Sequence, residues 1–248
     1  MNLADDEIHV WLVDDAEVTD RALLAQYDDM LEPAERDRRA RLMSDDLRHQ
    51  FLITRALQRT VLAEYAPDVE PRHLRFVAGE HGKPMLAADF ARLALHFNLA
   101  HTRGLVAMAV SRAAMLGVDV ENVAARTAPL PIANRFFTAR EAAELAALPL
   151  GEQSARFYAL WTLKESWLKA TGLGIGAGLG HVSFELESDH RLQSATFTND
   201  EAGYWTFRQA RPGPQHELAV AQRQDSRREM RVKMWRCIPG VPERQLLD

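Results

Sequence analysis

The sequence has a single cysteine and no excess of basic residues, and both shortages exclude classes of protein. Cys237, alone among 248 residues, cannot form an intrachain disulfide or a zinc cluster built from cysteines. The formal net charge of −5 argues against a protein that coats nucleic acid, because such proteins carry a basic footprint. A local site for phosphate groups remains compatible with this charge.

Long apolar runs are also missing. No stretch approaches the roughly 20 apolar residues that cross a bilayer. The N-terminal sequence MNLADDEIHVWLVDD is acidic and lacks the basic and apolar segments of a secretory signal. We therefore expect a cytoplasmic protein. With 47% hydrophobic residues, the chain has enough apolar content for one large domain or two of ordinary size.

Strand-like and helix-like segments alternate along the chain. EIHVWLV is rich in β-branched and aromatic residues and predicts a first strand. Residues 33–65 have apolar residues at helical spacing and begin with Pro33, which suits a first helical position. Strands are predicted at 7–13, 73–79, 96–111 with a polar break at 101–104, 116–123, 181–187, 204–210, 216–222 and within RREMRVKMWRCIPG, and further helices at 138–149 and 155–172.

The order of strand, long helix and strands occurs twice. FLITRALQRTVLAEY followed by HLRFV resembles FYALWTLKESWLKA followed by HVSFEL, displaced by 106 to 108 positions. The repeat is weak, and chance alternation of helices and strands is an alternative explanation. A genuine repeat would give two similar halves that meet near residues 112–125, with a cleft between them.

A pair of carboxylates lies in the predicted strand LGVDVENV. The period of two places Asp119 and Glu121 on one face and Val118 and Val120 on the other. Two carboxylates on a strand face suit Mg²⁺, which takes one or two protein carboxylates and leaves other positions to water and phosphate oxygens. Taken alone, such a pair is more often a solvated strand face.

The stretch FYALWTLKESWLKATGLG adds a third carboxylate. Helical geometry places Glu165 at the margin of a face that includes Lys164, with Lys169 one turn beyond Glu165 on the same side. The rest of this helix is largely apolar, so we expect it to be covered on most sides and its charged groups to point together into a cleft. Glu165 is then a third metal ligand, a general base or both. The alternative is a Glu165–Lys169 ion pair, worth only a few tenths of a kcal/mol.

Candidate contacts for phosphate groups precede these carboxylates. Lys83 follows Gly82 in the predicted turn HGKP, and His101 ends the segment FNLAH. ERDRRAR places several arginines on the first predicted helix. Each of these residues, taken singly, is more often solvated or structural.

The order of these motifs resembles that of the surfactin-type (Sfp-type) 4′-phosphopantetheinyl transferases. ERDRRAR, HGKP, FNLAH, GVDVE, RFFTARE and FYALWTLKESWLKATGLG follow one another as in that family, over roughly residues 33–186. The most specific parts are GVDVE and WTLKESWLKATG.

The resemblance implies a Mg²⁺-dependent enzyme that moves the phosphopantetheine arm of coenzyme A onto a serine of an apo acyl or peptidyl carrier protein, releasing adenosine 3′,5′-bisphosphate. It implies that Asp119, Glu121 and Glu165 hold Mg²⁺. Glu165 is the expected base for the carrier serine, directly or through a metal-bound water, and Lys169 and His101 would assist the transfer. The residues expected to contact coenzyme A are Arg38, Gly82, Lys83, Asn98, His101 and Lys169.

The same resemblance implies an α+β fold, a pseudo-dimer of two similar halves that each pack a small, mainly antiparallel sheet against a long helix. We expect an N-terminal half at 1–115 with the coenzyme A phosphate contacts and a C-terminal half at 116–248 with the metal carboxylates. The active site would lie between them. A chain that carries both halves needs no partner subunit, so we expect a monomer.

Two positions depart from the family pattern. Ala100 precedes His101 where the family commonly has serine, and Phe51 stands where some members carry a hydroxyl. We expect Ala100 to remove one side-chain hydrogen bond to coenzyme A, or to leave it to Thr102 or a backbone N–H. Both departures should change affinity more than chemistry.

Two other functions fit parts of the pattern. A metal-dependent nuclease would place a lysine two residues after the second carboxylate, where this chain has Val123. A non-catalytic module that binds coenzyme A or carrier proteins would explain the phosphate-facing groups but would leave three carboxylates without a purpose. The sequence does not identify the carrier protein or its docking surface.

Overall fold

Two sheets, each with a long helix against one face, form the fold of the protein in the computed structural model. The structure describes residues 1–79, 82–124, 129–174, 179–198 and 203–247. The helices in these ranges are α1 (Arg21–Asp29), α2 (Pro33–Ala40), α3 (Asp45–Glu64), α4 (Leu130–Phe136), α5 (Ala139–Ala147) and α6 (Leu150–Thr171). The strands are β1 (Glu7–Val13), β2 (Phe76–Ala78), β3 (Pro84–Leu86), β4 (His96–Thr102), β5 (Leu105–Ser111), β6 (Leu116–Asn122), β7 (Val182–Leu186), β8 (Leu192–Phe197), β9 (Tyr204–Gly213), β10 (His216–Gln224), β11 (Arg231–Cys237) and β12 (Arg244–Leu247).

The strands form two main sheets and two hairpins. The larger sheet has the order β12–β11–β1–β5–β4, the smaller sheet has the order β6–β10–β9, and β2–β3 and β7–β8 pair as hairpins. The described pairs are antiparallel except β1 and β11, which run parallel. The predicted α+β class with mainly antiparallel sheets is confirmed.

The alternation of side chains along the strands produces four layers. Trp11 and Met108 project from one face of the larger sheet into a core shared with α3. Val10, on the opposite face, packs with Val220 of the smaller sheet in a second core. The remaining face of the smaller sheet packs on α6 through residues such as Ala219. The layers are therefore helix, sheet, sheet and helix.

The two sheets belong to units with the same strand order. We call β1–β5 with α1–α3 the N-terminal unit, and β6–β10 with α4–α6 the C-terminal unit. The N-terminal unit runs β1, α3, hairpin, β4, β5 and orders its strands β1–β5–β4. The C-terminal unit runs β6, α6, hairpin, β9, β10 and orders its strands β6–β10–β9.

Each long helix carries a buried cation in the same setting. Arg59 of α3 lies 2.8 Å from Glu35 of α2, measured from Nη2 to Oε2. Lys164 of α6 lies 2.8 Å from Glu141 of α5, measured from Nζ to Oε2. Both glutamates belong to capping boxes that begin their helices.

An aromatic ring covers each of these cations. The Arg59 guanidinium lies 5.0 Å from the ring centre of Phe76 in β2. The Lys164 ammonium lies 5.7 Å from the ring centre of Phe184 in β7. The two units therefore share a polar core arrangement as well as a strand order.

Several predicted elements are confirmed. β1 occupies the predicted residues 7–13. α5 begins with the predicted capping box, in which Glu141 accepts a hydrogen bond from the Thr138 N–H at 2.8 Å. Of the described helices, none has the length and apolar character that crossing a membrane demands.

Other predictions need correction. Residues 33–65 form two helices, because Ser44 caps the start of α3 by accepting a hydrogen bond from the Leu47 N–H at 3.3 Å. The strand predicted at 73–79 is limited to β2, and the C-terminal segment contributes both β11 and β12. The division at 115 and 116 stays a prediction, but β11 and β12 lie in the larger sheet rather than with the C-terminal unit.

Candidate active site

A cavity of about 300 Å³ lies where the two units meet. β4 and β6 are edge strands of different sheets, and α6 packs over β6. Most of the residues predicted to contact coenzyme A come together here, while Arg38 and His101 lie outside the lining. The lining residues are Gly82, Lys83, Pro84, Asn98, Leu99, Glu165, Leu168, Lys169, Gly172 and Gly174.

Gly117 brings α6 directly onto β6. A Cβ atom at this position would lie 2.0 Å from the Ser166 carbonyl oxygen and 2.5 Å from the Ala170 backbone nitrogen. Glycine is therefore required for the contact. Because Asp119 lies two residues farther along the same strand face, the contact places its carboxylate beside α6.

Asp119 and Glu165 form the acidic part of the site, and both are buried, with exposed fractions of 6% and 8%. Burial, together with the charges of Asp119 and Glu121, raises the pKa of Glu165 to about 7, and Lys169 opposes the shift. Asp119 Oδ2 and Glu165 Oε1 have no hydrogen-bond partner among the described residues. Since unpartnered buried oxygens are costly, a cation or a proton would stabilise them.

Lys169 neutralises part of this charge. Its Nζ donates a hydrogen bond to Asp119 Oδ1 at 2.7 Å. The lysine therefore pairs with a carboxylate on the neighbouring strand, and not with Glu165 one turn away on its own helix. About 29% of the Lys169 side chain is exposed, which leaves it accessible to an anionic ligand.

The predicted metal ligands interact electrostatically but are not arranged as a preformed metal site. In the described part of the chain, no group of three or more His, Cys, Asp or Glu side chains is placed to hold a metal ion. The donor set still fits Mg²⁺, which prefers oxygen ligands, takes one or two carboxylates and keeps several waters. The unpartnered oxygens of Asp119 and Glu165 are suitable donors for such an ion.

Lys83 spans the two units. Its Nζ donates to the Leu116 carbonyl at the start of β6 and to the Lys169 carbonyl near the end of α6, each at 2.9 Å. Burial lowers the pKa of Lys83 to about 8. The predicted phosphate contact is thus engaged with backbone oxygens in this structure. His81, in the same predicted turn, lies outside the described residues.

Comparison with known proteins identifies the family. A profile described as the 4′-phosphopantetheinyl transferase superfamily matches residues 115–222. The 4′-phosphopantetheinyl transferase HetI of Nostoc sp. is 32% identical over 179 residues, which cover 71% of this chain and 73% of HetI. The chain belongs to the 4′-phosphopantetheinyl transferase superfamily. The family inferred from the motif order is therefore confirmed.

Two further relatives have similar names. A putative 4′-phosphopantetheinyl transferase of Synechocystis sp., slr0495, is 36% identical over 164 residues, or 66% of each chain. The 4′-phosphopantetheinyl transferase Sfp of Bacillus subtilis is 30% identical over 162 residues, which cover 65% of this chain and 69% of Sfp. Sfp is the protein after which the surfactin-type resemblance is named.

The N-terminal unit of the transferase carries a basic group around Phe51 of α3. The guanidinium carbons of Arg38 and Arg55 lie 5.9 Å and 5.1 Å from the ring centre of Phe51. Arg55 also pairs with Glu35 at 3.3 Å. His101 is exposed, yet partial loss of hydration lowers its pKa, and the charges of Lys169 and Arg55 act in the same direction.

Asn98, Ala100 and Thr102 share one face of β4, directed at β6. Asn98 Oδ1 accepts a hydrogen bond from the Val118 N–H at 2.9 Å, and Thr102 Oγ1 accepts one from the Asn122 N–H at 3.1 Å. Ala100, between them, is 4% exposed, packs in the core between the sheets and does not line the cavity. A side chain at position 100 therefore faces the inter-sheet core, and the Thr102 hydroxyl predicted to replace its hydrogen bond is bonded to β6.

Lys164 corrects the prediction that the α6 charges converge on one cleft. It is fully buried on the side away from Glu165, where its Nζ donates to the Leu179 and Val182 carbonyls at 2.9 and 2.6 Å and pairs with Glu141. Burial lowers the pKa of Lys164, and the Glu141 charge opposes that shift. Lys164 therefore anchors α6 instead of facing the cavity.

Sequence reasoning missed residues whose role depends on tertiary contacts. Gly117 gave no signal beyond its place in GVDVE, although a glycine in a strand often marks close backbone approach. Arg55 lies four residues after Phe51, a helical spacing that would have placed the two side by side. The Glu141 partner of Lys164 was recognised only as a capping residue.

Proposed function

We propose that the protein transfers the 4′-phosphopantetheine arm of coenzyme A to a serine of an apo acyl or peptidyl carrier protein. The observation that carries the proposal is the grouping of Asp119, Glu165 and Lys169 at a cavity between the units of a chain in this superfamily. The products are the holo carrier protein and adenosine 3′,5′-bisphosphate.

Asp119, Glu121 and Glu165 would hold Mg²⁺. The two unpartnered, buried carboxylate oxygens support this assignment, since a cation would satisfy them. Burial, and the Asp119 charge after it, raise the pKa of Glu165, and a cation beside it would relieve both effects. When bound, Mg²⁺ offsets negative charge on the pyrophosphate and the leaving group. Chelation with EDTA should abolish transfer.

Lys169 and Gly82 would contact the pyrophosphate of coenzyme A. Lys169 is partly exposed at the cavity, and Gly82 lines it at a positive φ of 80°, a conformation that glycine adopts without strain. Lys83 and Asn98 line the same cavity, but each already bonds to the backbone of β6 or α6. We therefore assign them to the walls of the coenzyme A site.

The basic group around Phe51 would bind the 3′-phosphate. Arg38 is exposed, and its guanidinium lies over the same Phe51 ring as that of Arg55. An anion between them would relieve the mutual repulsion of these groups. Phe51 supplies a flat surface under the two guanidinium groups instead of a hydroxyl.

The transfer itself needs a base for the carrier serine. The serine oxygen attacks the phosphorus next to the pantetheine, a P–O bond to that phosphorus forms, and the P–O bond of the pyrophosphate bridge breaks. The serine proton passes to Glu165, directly or through a bound water. Lys169 and His101 would supply positive charge or hydrogen bonds to the phosphate oxygens.

Mass spectrometry tests the function directly. The protein is incubated with Mg²⁺, coenzyme A and several apo carrier proteins, and each carrier is weighed. We expect a gain of one phosphopantetheine group on a carrier serine, absent with EDTA. Coenzyme A binding without a gain on any carrier would instead establish a non-catalytic binding module. Transfer retained by E165Q with Mg²⁺ present would refute the base assignment.

The family fold and location complete the proposal. The shared strand order and the paired buried cations support a pseudo-dimer of two similar halves, divided near residues 115 and 116. The cavity takes its lining from both units of one chain, which supports a monomer. This monomer would meet coenzyme A and a carrier protein in the cytoplasm. Light scattering during gel filtration measures the oligomeric state.

A further inference from the structure

We propose that Asn98 and Thr102 are positioning residues that set the register of β6 against β4, and with it the positions of Asp119 and Glu121 relative to the N-terminal unit. The inference rests on the proposed function for its catalytic consequence. It assigns Asn98 to strand positioning, whereas the family resemblance implied a coenzyme A contact.

The junction between the units depends on these side chains. In the described part of the chain, β4 and β6 belong to different sheets, so a backbone ladder does not fix one against the other. Asn98 and Thr102 bond to the Val118 and Asn122 N–H groups at 2.9 and 3.1 Å. Asn98 and Thr102 are four positions apart, and so are their bonding partners Val118 and Asn122. The two bonds therefore define one register, in which β4 and β6 run in the same direction.

The two bonds bracket the acidic residues. Asp119 and Glu121 lie between Val118 and Asn122 and project from the opposite face of the strand, toward α6. The ladder between β6 and β10 fixes which face of β6 carries the carboxylates, and the two bonds fix where that strand lies along β4. The register of this junction therefore decides where the acidic residues lie relative to the part of the cavity lining that the N-terminal unit supplies.

Burial makes the hydrogen bond between Asn98 and the Val118 N–H costly to break. Asn98 is 5% exposed and Val118 is fully buried, so breaking the bond would leave a buried donor without a partner. Lys83 adds a contact of the same kind, from its ammonium to the Leu116 carbonyl at the start of β6. The N-terminal unit thus makes side-chain hydrogen bonds to the backbone of β6 at residues 116, 118 and 122.

The first experiment removes one bond while keeping the shape of the side chain. T102V deletes the acceptor, T102S keeps it, and T60V is the matched control, because the buried Thr60 hydroxyl donates only within α3. Amide hydrogen exchange is followed by NMR on EDTA-treated protein. We expect at least tenfold faster exchange at Asn122 in T102V, and wild-type exchange in T102S and T60V.

The second experiment links the bond to the site. Mn²⁺ is titrated in the presence of coenzyme A and followed by electron paramagnetic resonance, and transfer is measured at increasing Mg²⁺. We expect T102V to bind Mn²⁺ about tenfold more weakly and to need more Mg²⁺ for half-maximal transfer, with the KM for coenzyme A nearly unchanged. T102S should restore both values.

Two results would overturn the proposal. One is faster exchange at Asn122 with unchanged Mn²⁺ binding, since the bond would then hold the strand without positioning the site. The other is an N98A variant that raises only the KM for coenzyme A, which would make Asn98 a ligand contact. If wild-type protein modifies no carrier, the proposed function fails, while the exchange and Mn²⁺ measurements still decide the role of the bonds.

Discussion

Lys164 and Glu165 are adjacent on α6 but lie in different environments. Lys164 is enclosed by two carbonyls and Glu141, so its charge is compensated within the C-terminal unit. Glu165 faces Asp119 and retains an unpartnered oxygen. Lys164 therefore stabilises the fold, whereas Glu165 destabilises it until a ligand binds.

Glu165 should make the metal-free protein less stable as the pH rises. Its pKa is raised from 4.5 to about 7, so the folded state keeps a proton that the unfolded state releases above pH 4.5. The stability this proton confers is complete below pH 4.5 and is lost as the pH rises through 7. E165Q, which cannot ionise, should gain up to roughly 3 kcal/mol relative to wild type between pH 5 and 8.

Urea unfolding with EDTA across this pH range measures the effect. E152Q is the control, because Glu152 is exposed on the same helix. If the difference in unfolding free energy between E165Q and wild type did not change with pH, the pKa of Glu165 would not be raised in the folded protein.

Removing the Lys164 charge should destabilise the fold strongly. K164M keeps the length of the side chain but leaves the Glu141 carboxylate buried without its cation, and breaking such a pair typically costs about 3–5 kcal/mol. Urea unfolding at neutral pH measures the loss. Adding E141Q should recover part of it, and a double variant no more stable than K164M would contradict the pairing argument.

The sequence pattern placed the candidate site residues better than it assigned their contacts. Asp119 and Glu165 were predicted from a strand period and a helix position, and both lie at the junction. Lys83 and Lys164 could not be assigned from local pattern, because their partners are backbone carbonyls and a distant glutamate. Carbonyl oxygens occur at every residue, so they leave no sequence signal.

At the scale of secondary structure, the contact of α6 with β6 organises the site. α6 crosses the strand at Gly117, with backbone atoms of Ser166 and Ala170 where a Cβ would lie. Glu165 and Lys169 immediately precede Ser166 and Ala170, the two contact residues on the helix. The separation of helix and strand therefore controls the distance between Lys169 and Asp119.

Gly117→Ala should force α6 away from β6. The clash involves backbone atoms, which cannot rotate aside, so we expect a stability loss of at least about 1–3 kcal/mol. Transfer should fall further than stability explains, because Lys169 would separate from Asp119. Thermal unfolding and carrier modification at a permissive temperature measure the two effects.

Gly151→Ala is the matched control for this change. A Cβ at position 151 would meet no atom within 4 Å, so stability and transfer should stay unchanged or rise slightly. Equal behaviour of the two alanine variants would contradict the close-contact argument.

Helices and strands were predicted correctly where neighbouring residues alone determine them. β1 has consecutive β-branched and aromatic residues, and α5 has its full capping box. The break between α2 and α3 was missed because the helical pattern continues across residues 41–44, where Ser44 starts a new helix. β12 was missed because it is short and pairs only with β11.

At the scale of the whole molecule, the site belongs to neither unit alone. Lys83 and Asn98 come from the N-terminal unit, and Glu165 and Lys169 come from the C-terminal unit. We therefore expect ligand binding to stabilise the junction as well as the cavity. The weak sequence repeat predicts such a cleft, and the shared strand order of the two units is compatible with it.

Coenzyme A with Mg²⁺ should raise the melting temperature of the molecule in one step. At a ligand concentration 100 times the Kd, binding adds about 2.7 kcal/mol, which corresponds to roughly 5–10 °C for a chain of this size. Differential scanning calorimetry measures the shift. Dephospho-coenzyme A, which lacks the 3′-phosphate, should give a smaller one, and a shift confined to one of two transitions would contradict a shared site.

The parallel pairing of β1 with β11 has a consequence for synthesis on the ribosome. Glu7 is opposite Arg231, so β1 leaves the ribosome long before its partner strand β11 has been synthesised. At about 5–20 residues per second, that interval is on the order of 10–50 s. Throughout it, β1 offers an unpaired edge to other chains. Slower initiation or chaperone capture at this edge should therefore improve the yield of folded protein.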